Sequence, residues 1–334
     1  MRRAMRGVRP VLIPVAVLLL ALAPQMVALA RGDSSGAAHT ASTSPTRHIT
    51  IIGASVSDGF GVRLRTTQPD GTRSVIGVNL ATLLDAAVIE PQAVKVTTHA
   101  TSRFFLSPDA VAKASIEQAV ADRPSLVLAI DWLFWNSYGG SRADGKPIRK
   151  CDDRAERLER ALILLQPLVD TGVLVVLGDL PDMHDPIEGG MLTESMVPDE
   201  ACLKRLNERI HAWAATRPNV ALLDLADVVR RTLSGQPIRA CNRDWCQADL
   251  GPLLQKDQLH PTLNGSLAVL ASALQAADGK TEGKVSKAFD LDPAKVRARL
   301  TLMAAQRKAA DATGSSAAPP APPAAGGSSS PSAP

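Results

Sequence analysis

Short apolar runs alternate with longer segments of helical periodicity over most of this chain. Such runs, several of them β-branched, are typical of strands that are buried on both faces of a sheet. The segment 154–170 instead spaces its leucines three and four residues apart, which indicates an amphipathic helix. Strands that alternate with helices favour βαβ units, so we predict an α/β fold with helices on both faces of a parallel sheet. The predicted strands are 49–52, 94–98, 126–130, 173–177 and 220–223, and the predicted helices are 79–87, 108–121, 154–170, 200–215 and 262–276.

The N-terminus has the pattern of a secretory signal peptide over residues 1–30. Four arginines precede an apolar run at 11–23, and Ala28-Leu29-Ala30 fits the small-x-small cleavage pattern. The run is shorter than the roughly 20 residues that span a bilayer. We therefore predict an exported protein, periplasmic or secreted, with no stable membrane span after cleavage; an uncleaved N-terminal anchor is the alternative.

Composition divides the rest of the chain. Residues 31–46 are small and polar and predict a flexible lead-in, and residues 313–334 are rich in Pro, Ala, Ser and Gly and predict a disordered tail. The segment 47–279 carries the α/β pattern, and 280–312 is predicted as a C-terminal helical extension. The formal net charge of +4 comes from the four leader arginines, since 33 basic and 33 acidic residues then remain. This balance gives no support for nucleic-acid binding.

Four cysteines in an exported chain favour disulfides. Cys241 and Cys246 are close in sequence and are predicted to bridge one loop, which leaves Cys151 to pair with Cys202. Their spacing lacks the Cys-x2-Cys pairs of structural zinc sites, so we predict no metal and no cofactor.

A serine follows the first predicted strand directly, in the stretch HITIIGASVSDGFG at residues 48–61. Gly53 and Gly59 on either side of Ser55 permit a tight turn and a close backbone approach. At the carboxyl edge of a parallel sheet, where functional groups gather, Ser55 could act as a nucleophile. The alternative is that Ser55 only caps a following helix.

A carboxylate and an imidazole lie together near the other end of the α/β segment, in Asp257-Gln258-Leu259-His260. They precede the predicted helix 262–276, from where a loop can reach the same edge of the sheet. His260 could accept the proton of Ser55 while Asp257 orients its imidazole. We therefore predict Ser55, His260 and Asp257 as catalytic residues.

These two blocks resemble the SGNH/GDSL hydrolase superfamily, in particular its exported bacterial members. The family carries Gly-Asp-Ser-x-x-x-Gly after its first strand and Asp-x-x-His before a C-terminal helix; here Ala54 replaces the Asp of the first motif, and the second is intact. The resemblance covers residues 48–278. It implies a three-layer, flavodoxin-like α/β/α sandwich with a mostly five-stranded parallel sheet, and hydrolysis of an ester through a covalent acyl-enzyme.

The resemblance also implies an oxyanion hole, in which this chain departs from the family. Beside Ser55, the family uses a Gly after the second strand and an Asn after the third. Ser102 occupies the Gly position and could donate its backbone N–H, while Asp131 falls where the Asn is expected. An ionised carboxylate cannot donate a hydrogen bond. Three interpretations stay open: Asp131 is protonated, Asn136 supplies the donor, or the site is weakened.

Aromatic residues concentrate after the first three predicted strands. Seven of the ten in the chain lie there, and a cleft lined by aromatics suits sugar rings or apolar acyl chains. A role in the core is the alternative. The substrate-contact candidates are Phe60, Phe104, Trp132 and Trp135.

The sequence thus favours an exported serine esterase acting on carboxylic esters, either O-acyl glycans or lipid esters. One alternative is a catalytically degenerate relative that binds carbohydrate or an envelope partner. A second is an O-acetyl transferase, in which a sugar hydroxyl replaces water as the acyl acceptor.

Overall fold

The computed structural model describes residues 44–67, 71–141, 145–148, 150–188 and 190–312. Its strands are β1 His48–Ile51, β2 Arg63–Thr67, β3 Arg73–Gly77, β4 Lys95–Thr98, β5 Leu126–Ala129, β6 Leu174–Gly178, β7 Val220–Leu223, β8 Ile238–Ala240 and β9 Arg243–Trp245. Its α-helices are α1 Leu80–Ala87, α2 Pro108–Asp122, α3 Phe134–Ser137, α4 Cys151–Asp170, α5 Asp185–Glu188, α6 Glu200–Ala215, α7 Leu225–Leu233, α8 Gln247–Leu250, α9 Leu263–Thr281 and α10 Pro293–Ala312. Short 3₁₀ turns occur at Pro91–Ala93, Phe104–Leu106, Glu194–Met196 and Ser286–Ala288.

Five of these strands form one parallel sheet in the order β4-β1-β5-β6-β7. They are the five strands predicted from the apolar runs, with ends that differ by at most one residue. Because β4, β1 and β5 are neighbours, the segments that follow them meet at one edge of the sheet. Ser102, Ser55 and Asp131 lie in those segments. The order of the strands therefore brings the segments of Ser102 and Asp131 close to the Ser55 turn.

Helices cover both faces of the sheet, and each face has its own apolar core. Alternate residues of β5 divide between them: Leu126 and Leu128 pack with α1, α9 and α10, whereas Val127 and Ala129 pack with α2, α4 and α6. The predicted α/β/α sandwich is therefore confirmed. The helix α1 begins where Asn79 accepts a hydrogen bond from the backbone N–H of Thr82, at 2.9 Å.

Two hairpins and the short helices α3, α5, α7 and α8 were not predicted from the sequence. The antiparallel hairpins β2–β3 and β8–β9 are short and mostly polar, and α7 is only nine residues long. Beyond the sheet domain, α10 packs on α1, where Arg299 Nη1 donates to the carbonyl oxygens of Ala86 and Val88, both at 3.1 Å. The extension is thus attached to the sheet domain through a helix–helix contact.

Some predictions concern residues outside the described ranges. These are the signal peptide at 1–30, the lead-in at 31–46 up to residue 43, and the tail at 313–334. In the part of the chain that is described, none of the helices has the length and apolar character needed to cross a bilayer.

One of the two predicted disulfides is present. Cys151 and Cys202 are bonded, with Cα atoms 5.4 Å apart, and they join the first turns of α4 and α6. The second prediction is wrong, because Cys241 and Cys246 are free thiols. Cys241 occupies the turn of the β8–β9 hairpin and Cys246 follows the far end of β9. Since a strand advances roughly 3.3 Å per residue, the two cysteines lie too far apart to bond.

Loss of the Cys151–Cys202 disulfide should cost stability. The bond closes a loop with a sequence separation of 51 residues, and the chain entropy of a loop of that length corresponds to about 4 kcal/mol. We expect Cys151→Ala to lower the melting temperature by about 10 °C in calorimetry. Cys246→Ala is the matched control, since it removes a free thiol, and should change the melting temperature little. Equal melting temperatures for all three proteins would contradict this prediction.

Candidate active site

The Ser55 side chain is presented by a turn that leaves β1. Residues 54–61 form consecutive turns rather than a helix, so the helix-capping alternative for Ser55 does not hold. The backbone N–H of Phe60 donates to the carbonyl oxygen of Ser55 at 2.9 Å and closes the turn. Gly59 has a φ of +70°, and a Cβ there would clash with the carbonyl oxygen of Val78. Ser55 is half-buried, and its hydroxyl makes no hydrogen bond to any described residue.

Asp131 holds this turn from the neighbouring strand. One carboxylate oxygen, Oδ1, accepts from the backbone N–H of Ala54 at 3.0 Å and from the hydroxyl of Ser57 at 2.6 Å. The other, Oδ2, accepts from the backbone N–H of Val56 at 2.8 Å and of Ser57 at 3.3 Å. The amides on both sides of Ser55 are therefore fixed by one side chain at the end of β5.

The surroundings of Asp131 exclude the role that its position in the family motif implied. Burial raises the pKa of its carboxyl, and the four hydrogen bonds that it accepts oppose that rise. Both carboxylate oxygens accept hydrogen bonds from donors in the Ser55 turn, so the Asp131 side chain fixes that turn as an acceptor and offers no donor to an oxyanion. Gly53 is required at this contact, since a Cβ there would clash with Asp131 Oδ1 and Ser57 Oγ.

Two other oxyanion candidates have their donors engaged. The backbone N–H of Ser102 donates to Asp58 Oδ2 at 2.8 Å, and its hydroxyl donates to the same oxygen at 2.5 Å. Asn136 is buried, and its Nδ2 donates to the carbonyl oxygen of Trp132 at 3.1 Å. The backbone N–H of Ser55, in contrast, has no partner among the described residues.

His260 and Asp257 form the pair that their spacing predicted. The carboxylate Oδ2 of Asp257 lies 2.8 Å from His260 Nδ1, and Oδ1 accepts from the backbone N–H groups of Leu259 at 3.1 Å and His260 at 3.0 Å. Burial raises the pKa of Asp257, but these hydrogen bonds outweigh burial, so its pKa lies below the ordinary value. The carboxylate is therefore held ionised against a buried imidazole whose Nε2 has no partner among the described residues.

Gln255 ties the two motif loops together, and sequence reasoning missed it. Its side-chain Nε2 donates to the carbonyl oxygen of Phe60 at 2.8 Å and to that of Pro261 at 2.9 Å, and its backbone N–H donates to the carbonyl oxygen of His260 at 2.8 Å. The Phe60 ring lies on the His260 imidazole with centroids 4.6 Å apart.

Asp58, which accepts the hydrogen bonds of Ser102, was also missed by the sequence analysis. Neither Gln255 nor Asp58 stands out in the sequence, because an amide or carboxylate in a polar turn is common.

The Ser55 turn and the Asp257–His260 loop border the same cavity. Ser55 and Val56 line it from one side, and Leu259 and Pro261, on either side of His260 in the sequence, line it from another. Further lining comes from Leu225 and Val228 on α7 and from Ala268 and Val269 on α9. The fold thus brings Ser55 together with the Asp257–His260 loop across roughly 200 residues of sequence, at an apolar cavity.

The four aromatic candidates separate in the structure. Phe104 and Trp132 are fully buried in the core on the side of α2 and α4, which corrects their assignment as substrate contacts. Trp132 donates its indole N–H to Ser115 Oγ at 3.0 Å, which satisfies its polar group inside that core. Trp135 lines a separate surface groove with Phe105. Only Phe60 of the four candidates contacts the Asp257–His260 pair, and Phe60 is 45% exposed.

Other histidines among the described residues also contact carboxylates. The pairs are His99–Asp122, His184–Asp182 and His211–Asp179. Across the described ranges, no three His, Cys, Asp or Glu residues come together as metal ligands would. The Asp257–His260 pair differs from these in that its imidazole is buried and contacts the Phe60 ring, which lies at the end of the Ser55 turn.

Solved structures similar to the chain include several hydrolases. LAE5, an α/β hydrolase enzyme from the metagenome of Lake Arreo in Spain, is 17% identical with a TM-score of 0.45 over 70% of this chain and 95% of its own. Axe2, an acetylxylan esterase from Geobacillus stearothermophilus, is 18% identical with a TM-score of 0.40 over 68% and 91%. TesA is 15% identical with a TM-score of 0.38 over 70% and 99%. No family model and no curated protein matches the chain.

The five-stranded parallel sheet lies between two helical layers. Its first strand leads into Ser55, and the Asp257–His260 pair precedes α9. This architecture is the one that the two sequence motifs implied. The predicted α/β fold with a five-stranded parallel sheet between helical layers is therefore confirmed.

Proposed function

We propose that the protein is a serine hydrolase that cleaves carboxylic esters, with Ser55 as nucleophile, His260 as base and Asp257 as its orienting partner. The observation that carries the proposal is the shared cavity, which Ser55 lines together with the residues on both sides of His260. A serine hydroxyl becomes a useful nucleophile when a base can take its proton and a third group orients that base. The 2.8 Å contact between Asp257 and His260 Nδ1 supplies that orientation.

In the acylation step, Ser55 Oγ attacks the ester carbonyl carbon while its proton passes to His260 Nε2. The backbone N–H of Ser55 is the available donor to the oxyanion that forms. The C–O bond to the alcohol then breaks, and His260 returns the proton to the departing oxygen. Water attacks the acyl-enzyme with His260 as base again, which releases the acid and restores Ser55.

A fluorophosphonate probe tests this proposal directly. An activated serine displaces fluoride and retains the phosphonyl group, so peptide mapping by mass spectrometry should place the label on Ser55. Ser55→Ala should not be labelled, whereas Ser234→Ala, a change at an exposed serine on α7's C-terminal side, should be labelled like the wild type. An unlabelled, folded wild type would favour the degenerate binding protein.

We further propose that the protein is exported. The leader pattern at residues 1–30 and the Cys151–Cys202 disulfide support this, since disulfides persist in oxidising compartments. N-terminal sequencing of protein recovered from the periplasm or medium tests it, with cleavage after Ala30 as the expected result. Recovery only in the cytoplasm with an intact leader would contradict it.

A further inference from the structure

We propose that the cavity beside Ser55 binds the acyl chain of the substrate, and that this chain is linear with about four to six carbons. The inference rests on the proposed function, because it assigns a substrate class to the same site. Its basis is the chemistry and the size of the cavity.

The cavity wall is almost entirely apolar. Aliphatic side chains from α7, α9 and the loops make up most of it, with Phe134 and Met183 between them. Three polar side chains reach it: Ser55, Asp131 and Thr232. An ester whose carbonyl lies at Ser55 would therefore extend its acyl part along an apolar surface.

Two of the three polar side chains are already satisfied. The Thr232 hydroxyl donates to the carbonyl oxygen of Val228 at 2.8 Å, and Asp131 accepts its four hydrogen bonds from the nucleophile turn. A sugar ring placed there would lose its hydrogen bonds to water without gaining replacements, which is unfavourable. The glycan, where the substrate contains one, must then lie on the alcohol side of the ester.

The size of the cavity limits the length of the chain. It offers about 40 Å³ of room for water-sized groups. One such group takes roughly 10–15 Å³ in this measure, so the cavity holds about three or four groups the size of a methylene. An acetyl group would leave most of that room empty, and a chain of about ten carbons would exceed it.

Hydrolysis of p-nitrophenyl acetate, butyrate, hexanoate and decanoate tests the proposal. Each methylene placed in an apolar site favours binding by about fourfold. We expect kcat/KM to rise by about 16-fold from acetate to butyrate, to be highest for butyrate or hexanoate, and to fall for decanoate. A maximum at acetate, or a rise that continues to decanoate, would overturn the proposal.

A substitution that fills the cavity should change the preference for chain length. Val228→Phe adds a ring where α7 lines the cavity, so the ratio of hexanoate to acetate kcat/KM should fall by about tenfold or more. Val75→Phe is the matched control, because Val75 is 55% exposed on β3 and does not line the cavity; it should keep the wild-type ratio. An unchanged ratio in a folded Val228→Phe protein would count against the cavity.

A binding measurement on the variant that lacks the Ser55 hydroxyl distinguishes the acyl-chain proposal from the proposed function. Hexanamide, which carries the same acyl chain, should raise the melting temperature of Ser55→Ala in a scanning experiment, and acetamide should not. If hexanamide binds selectively but no ester is cleaved and Ser55 is not labelled, the acyl cavity stands and the proposed function fails. If esters are cleaved but hexanamide binds no better than acetamide, the acyl cavity fails and the proposed function stands.

Discussion

Ser55→Ala should lower the turnover of a p-nitrophenyl ester by about 10⁴-fold or more, because the variant lacks the attacking oxygen. Stability should stay close to that of the wild type, since the Ser55 hydroxyl makes no hydrogen bond to any described residue. Initial rates and melting temperatures of the two proteins test both statements. Ser234→Ala serves as the control and should keep wild-type rates.

The partners of Ser55 should show a graded response. Asp257→Asn should cost turnover somewhat less than Ser55→Ala, because the asparagine misorients His260 but leaves the nucleophile in place. It should also lower stability, since Asp257 accepts hydrogen bonds from the backbone N–H groups of Leu259 and His260 as well as from the imidazole. A folded Ser55→Ala protein with wild-type turnover would refute the assignment of the nucleophile.

Asp131→Asn should lower both stability and turnover, although the family motif has an asparagine at this position. Each carboxylate oxygen accepts a backbone N–H, from Ala54 at Oδ1 and from Val56 at Oδ2. An amide in either orientation therefore turns its NH₂ group against a backbone donor. We expect the free energy of unfolding to fall by about 3 kcal/mol and kcat to fall with it, because the amides that fix Ser55 lose their acceptor.

A second test of the Asp131→Asn prediction measures the free energy of unfolding by denaturant over a range of pH. Burial raises the pKa of Asp131 in the folded protein, so the folded state binds more protons than the unfolded state as pH rises above the ordinary aspartate pKa. The stability that comes from protonation of Asp131 in the folded state is lost as pH rises through the raised pKa. The Asp131→Asn variant has no carboxyl at this position and therefore lacks this contribution at every pH. The stability difference between wild type and variant should therefore be largest at low pH and narrow as pH rises.

Asp170→Asn is the control for both measurements, because Asp170 is exposed at the end of α4. It should change neither turnover nor the pH dependence of stability. A gain of turnover in Asp131→Asn would show instead that a donor at this position completes the oxyanion hole.

Apolar runs and helical periodicity were sufficient to predict the sheet and its main helices. The strands β1, β5, β6 and β7 are almost entirely buried, so their sequences carry an apolar signal that depends little on their neighbours, whereas β4 lies at the edge of the sheet and is only partly buried. The hairpin β2–β3 carries no continuous apolar signal, since the exposed Arg63 and Arg65 alternate with buried residues. The free thiols Cys241 and Cys246 show the same limit. A separation of five residues in sequence does not reveal that Cys241 lies in a hairpin turn and Cys246 beyond the far end of the next strand.

Local spacing favoured the Asp257–His260 contact, because only two residues separate the pair and the backbone N–H of His260 donates to Asp257 Oδ1 within the same turn. It also singled out Ser55, through a glycine turn after a buried strand. The roles of Asp131, Ser102, Gln255 and Trp132 were decided by partners distant in sequence, on neighbouring strands and loops. A carboxylate at the end of a strand can donate, titrate or brace a turn, and only the tertiary structure supplies the backbone N–H groups that decide among these.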